Sequence, residues 1–125
     1  MPEPKRPAVN RTRERRIEDE IVVDAYGPEE RALGWHCYLE EKLPFPFNAR
    51  CTTEHPLSPL KKGERVEAVG MAPEDVCAQG MHVSVRSAGR SFGVALAQLA
   101  IIGGAEEART ALADWHYWVA RGYEF

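Results

Sequence analysis

The stretch PEERALGWHCYLEEKLPFPFNARC, from Pro28 to Cys51, changes its hydrophobic period part-way along. In its first part Ala32, Trp35, Leu39 and Leu43 recur at steps of 3, 4 and 4, the spacing of one helical face. Pro28 suits a first helical turn, and Glu29 and Glu30 sit favourably at the positive end of the helix dipole. Pro44 and Pro46 stop the helix. From Phe45 the period becomes two, with Phe45, Phe47, Ala49 and Cys51 alternating against Pro46, Asn48 and Arg50. A helix followed at once by a strand places the chain in the α+β class.

Upstream, a helix is expected to start near Arg11 to Arg13, to carry Ile17, Ile21 and Ala25, and to end at Tyr26-Gly27-Pro28. The two helices then form an N-terminal helical hairpin. Pro2, Pro4 and Pro7 with charges between them mark residues 1–12 as a disordered basic tail, leaving 13–125 as one domain. Downstream, Thr52 to Gly63 is a loop with Pro56 and Pro59. Strands are expected at Glu64–Met71, Met81–Ser87 and Arg90–Ala97, with Ser87-Ala88-Gly89 as a hairpin turn and Ile101-Ile102 as a short closing strand. Strands this short and this many predict a small SH3-like antiparallel β-barrel. A C-terminal helix opens at Ala105 and buries Ala108, Ala111, Leu112, Trp115, Trp118 and Val119.

The 125 residues are 44% hydrophobic and 28% charged, enough apolar material for a core. No apolar run approaches the roughly 20 residues of a membrane span. Met1 to Arg16 carries no apolar stretch of the secretory kind, and three cysteines without a CxxC pair suit a reduced, cytoplasmic setting. Charge is unevenly spread: Ile17 to Glu41 holds eight acidic residues against Arg31 alone. Such a cluster attracts cations or basic surfaces and repels phosphate backbones; equally, it is what a solvated helix face looks like. The basic tail gives nucleic acid or an anionic surface a weak hold at most.

No nucleophile elbow, phosphate loop, dinucleotide fingerprint or HExxH pair is present, so an enzyme is not expected. His36 and His116 lie inside aromatic helical segments and read as structural. Cys51-x3-His55 and Cys77-x4-His82 offer four zinc donors, but at the wrong spacing for a knuckle and with Cys51 on an apolar side. Oxygen-ligand chemistry fits better, because calcium takes carboxylates and carbonyls at flexible geometry. No EF-hand spacing occurs. Glu40 and Glu41 end the second helix beside its free carbonyls, where the dipole favours a cation, and Glu74-Asp75 is a second compact acidic pair. Asp24, Glu29 and Glu30 are further candidates that could instead be turn or helix-end residues.

Several segments together resemble the small cyanobacterial calcium-binding protein family. They are Arg16-Ile17-x-x-Glu20-Ile21-Val22-Val23-Asp24-Ala25-Tyr26, Glu29-Glu30-Arg31-Ala32-x-Gly34-Trp35, Tyr38-Leu39-Glu40, Phe45-Pro46-Phe47, Val69-Gly70-Met71 and Asp114-Trp115-His116-Tyr117-Trp118-Val119. The resemblance runs from about Glu14 to Gly122. It implies a non-enzymatic bacterial calcium buffer or sensor that binds through surface carboxylates, with Ca2+ as the cofactor and Glu40-Glu41 matching an acidic helix end. Where the family is expected to carry further carboxylates, this chain reads Val76-Cys77-Ala78-Gln79-Gly80, which implies weakened affinity. The rival expectation is a protein-interaction adaptor whose acidic face docks a basic partner without metal.

Overall fold

The computed structural model describes residues 6–125, so the part of the expected tail before Arg6 lies outside the described residues. Helix α1 (Arg11–Arg16) continues into a π-helical turn, Ile17–Ile21, and α2 spans Pro28–Lys42. Five strands follow: β1 (Phe47–Cys51), β2 (Arg65–Met71), β3 (His82–Ser87), β4 (Arg90–Ala95) and β5 (Leu99–Ile101). Helix α3 (Glu106–Ala120) closes the order.

Asn10 starts α1, its side-chain oxygen accepting from the Arg13 N–H at 3.0 Å. The first helical segment ends earlier than expected. Ile21-Val22-Val23 is a β-branched run that resists helix, and Asp24 turns the chain in the left-handed region at φ 56°. Ala25 therefore lies beyond the helix. The returning α2 crosses close at Gly34, where a Cβ would stand 2.3 Å from the Ile21 carbonyl oxygen. Only glycine allows that approach.

All five strands are antiparallel, in the order β4-β3-β2-β1-β5. Phe47, Ala49 and Cys51 of β1 face inward while Asn48 and Arg50 face out, as their alternation predicts. The β3–β4 hairpin turns through Ala88 (φ 51°) and Gly89 (φ 77°), so both central residues take the left-handed conformation of a type I′ turn. The sheet is not closed: β4 and β5 are its edges, and no ladder joins them among the described residues.

The core lies between the sheet and the helices. Trp35 is wholly buried, its ring meeting Trp115 at 5.0 Å and Trp118 at 5.6 Å between centroids. The Gly-Trp of α2 and the Asp-Trp-His-Tyr-Trp of α3 thus pack the helices on each other. Trp35, Leu39, Val83, Val85, Leu96 and Leu99 belong to the same apolar cluster.

Candidate metal centre

The end of α2 is bare of hydrogen-bond donors for a reason written in its sequence. In a continuing helix the carbonyls of Glu40, Glu41 and Lys42 would accept from residues 44, 45 and 46. Pro44 and Pro46 have no N–H, and the Phe45 N–H goes instead to the Leu43 carbonyl at 3.0 Å. The Leu43 N–H closes the last regular bond, to Leu39 at 2.9 Å. Three carbonyl oxygens at the negative end of the dipole therefore lack helical donors, beside the exposed carboxylates of Glu40 and Glu41. Oxygen donors of both kinds suit a hard divalent cation.

Lys42 shares this end, but its ammonium is held elsewhere. It lies 2.6 Å from Glu107 at the start of α3 and 5.8 Å from the centre of the Tyr38 ring. The hydrogen bond to Glu107 is the main cause of its raised pKa, with the Glu107 charge next. Burial pushes the Tyr38 phenol up as well.

The remaining candidates are exposed and dispersed. Glu74 and Asp75 occupy the turn before a short 3-10 turn, Val76–Ala78, that packs against α2. The buried His36 ring ties the two together, its Nε2 2.8 Å from the Ala72 carbonyl oxygen. Glu40 lies one helical turn beyond His36 on the same side of α2. Glu30 has a turn to hold, since its carboxylate accepts the Tyr26 N–H at 2.8 Å. Asp24 lies in the turn before α2 and Glu29 in that helix's first turn. Among the described residues, no three Asp, Glu, His or Cys side chains converge closely enough to hold an ion unaided. Glu40 and Glu41 are a candidate pair that stands beside carbonyls without helical donors.

The cysteines and their paired histidines have local bonds. The Cys51 thiol donates to the Thr53 carbonyl at 3.3 Å, and Cys77 accepts the His82 N–H at 3.4 Å. Burial raises the Cys77 pKa. His55 accepts the Leu57 N–H at 3.1 Å, and His82 Nδ1 lies 2.8 Å from the Gly80 carbonyl oxygen.

One carboxylate escaped the sequence reading as a functional group. Asp114 on α3 is wholly buried and receives Arg13 at 2.6 Å and Arg16 at two points, both 2.7 Å. Nearby, Tyr117 and Tyr123 donate to Glu14 at 2.9 and 2.5 Å, and the Asn10 N–H donates to the Tyr117 oxygen at 3.0 Å. Arg13 and Arg16 are thus both held on Asp114 inside a clasp. They are not part of a free basic arm.

Residues 15–119 match the profile of a family described as calcium binding, the CcbP family. The crystal structure of Anabaena CcbP superposes with a TM-score of 0.85 at 40% identity, covering 95% of this chain and 98% of that one. A calcium binding protein in the calcium-binding form matches with a TM-score of 0.83 at 40% identity, over 93% of this chain and 95% of that one. None of the curated proteins matches. With the acidic helix end, the aromatic packing and the length of both matches in agreement, this chain belongs to the calcium-binding CcbP family.

Proposed function

We propose that this chain binds Ca2+ at the C-terminal end of α2 and acts as a non-enzymatic cytoplasmic buffer or sensor, outside any EF-hand loop. The observation that carries the site is the set of donor-free carbonyls of Glu40, Glu41 and Lys42 beside the Glu40 and Glu41 carboxylates. Glu74 and Asp75 stand next in rank, because their loop packs on α2; Asp24, Glu29 and Glu30 follow. Exposed ligands without a converged third side chain argue for weak affinity. The ion's work is neutralisation: it relieves repulsion between adjacent carboxylates, so bound protein is more stable than free.

In this reading the sheet is an opened SH3-like barrel. Edge strands of a flat five-stranded sheet lie about 19 Å apart. Yet β4 passes to β5 through three residues, Leu96–Gln98, whose four Cα steps reach only about 14 Å. That disparity favours a strongly curled sheet.

The test is a calorimetric calcium titration with magnesium as the control and Glu40→Gln/Glu41→Gln alongside. Saturable binding of calcium, lost in the double variant, is expected. Binding that survives the variant overturns the ligand choice and keeps the function. No heat and no thermal stabilisation at millimolar calcium overturns both, and leaves the acidic face as a docking surface for a basic protein.

A further inference from the structure

At one end of the sheet the chain gathers positive charge. Arg50 at the end of β1 and Arg65 at the start of β2 are direct cross-strand partners. The Gly63 N–H to Cys51 and Cys51 N–H to Glu64 bonds close that ladder, so Lys61 and Lys62 lie on the loop just beyond it. On the neighbouring strands Arg86 opposes Glu67, and Arg90 begins β4 after the same hairpin turn. Arg50, Arg65 and Arg86 alternate with the buried Ala49, Val66 and Val85, which puts all three on the outer face.

The acidic residues at this end are already engaged. Glu64 accepts the Lys61 N–H at 3.2 Å and the Ser87 hydroxyl at 3.4 Å, and Glu54 accepts the Lys62 N–H at 3.3 Å. Glu67 pairs with Arg86 at 3.5 Å. Among the described residues no carboxylate lies within ion-pair distance of Arg50, Lys61, Lys62, Arg65 or Arg90. Directly opposed like charges on a sheet destabilise it. The Arg50–Arg65 pair is therefore a cost in the free protein, one that a bridging anion removes. A shallow depression of about 370 Å³ lies beside Arg65 and Arg86, with Asn48, Glu67 and Ser87 on its walls.

We propose that this end of the sheet docks a short carboxylate-rich segment of a partner protein. Paired guanidinium forks suit carboxylates bidentately, with the Asn48 amide as an additional donor. The span of β1 to β4 is about 14 Å, matched by about four residues of an extended peptide. Nucleic acid fits worse. Its phosphates run on past so small a patch, toward a chain of net charge −3 whose segment from Ile17 to Glu41 is strongly acidic. Bases would also need exposed aromatic rings to stack on, and at this end Phe92 is half-buried, opposite the inward-facing Val85.

The experiment follows the fluorescence anisotropy of a labelled oligo-glutamate peptide at low ionic strength, with single-stranded oligothymidylate in parallel. Saturable peptide binding is expected, weakened at least about tenfold in Arg50→Gln/Arg65→Gln and less in Lys61→Gln/Lys62→Gln. The arginine variant should melt no lower than the parent, because it removes a repulsion, so loss of binding is not loss of fold. Binding should be equal in calcium and in chelator, since none of the candidate calcium ligands is at this end. A failed calcium titration thus leaves this proposal standing, and the reverse holds too. No saturable binding of the peptide, equal binding by the arginine variant, or tighter binding of oligothymidylate would overturn it.

Discussion

The clasp between α1 and α3 and the end of α2 are both built from helix carboxylates, and they differ in who supplies the positive charge. Asp114 is wholly buried, with two arginines arranged around it at hydrogen-bond distance. Glu40 and Glu41 are exposed, adjacent to each other, and next to carbonyls that prolines have stripped of donors. The first region finds its ion-pair partners within the chain. The second is left open at the negative end of a dipole, and in the function proposed above a solute cation completes it.

The largest expected effect breaks the complete region. Asp114→Asn leaves two guanidiniums without their counter-charge and should cost about 3 kcal/mol, at the low end for a buried pair because Arg13 and Arg16 are partly exposed. Urea unfolding reads it as a lowered midpoint with an unchanged slope. The calcium isotherm of the still-folded fraction should not move. A loss under about 1 kcal/mol would mean the clasp is surface decoration, and the comparison would fail.

Next comes the joint between the acidic segment and α2. Gly34→Ala places a methyl against the Ile21 carbonyl oxygen, and neither backbone can yield freely. About 2 kcal/mol of destabilisation is expected, measured by thermal melting. Wild-type stability in this variant would mean the crossing is looser than 2.3 Å implies.

How far these regions could be read from the residues differs for physical reasons. Helix α2, the β1 alternation and the β3–β4 hairpin follow from local periodicity and punctuation by proline and glycine, and each lies where that periodicity puts it. The donor-free helix end is also local, since Pro44 and Pro46 announce it. The clasp is not local. Arg13 and Arg16 meet Asp114 across 101 and 98 residues, and a charge count over residues 1–16 sees only surplus. The early end of the first helix was hidden too, because Ile17 and Ile21 keep helical spacing while the chain loosens into a π turn. For the metal centre, the sequence names carboxylates without saying which converge. Convergence belongs to packing: α2 meets the 72–78 loop through His36, a contact that no local pattern announces.

The smallest effect concerns the inner side of α3, and it separates acid from calcium as a stress. Burial lowers the pKa of His116, with the backbone of Leu99 and Leu96 opposing in part, and its Nε2 has no partner among the described residues. The fold therefore favours the neutral ring. Above the unfolded value of about 6.5 both states are neutral, and the full stability is present. As pH falls below that value the unfolded chain takes up a proton that the folded chain refuses, so stability drops until the folded pKa is passed. Unfolding followed between pH 7 and 5, in chelator, should show this decline. His116→Leu should flatten it without moving the calcium isotherm. If the decline persists in the variant, acid acts elsewhere than on the ring packed against β5, and the open end of α2 becomes the place to look for it.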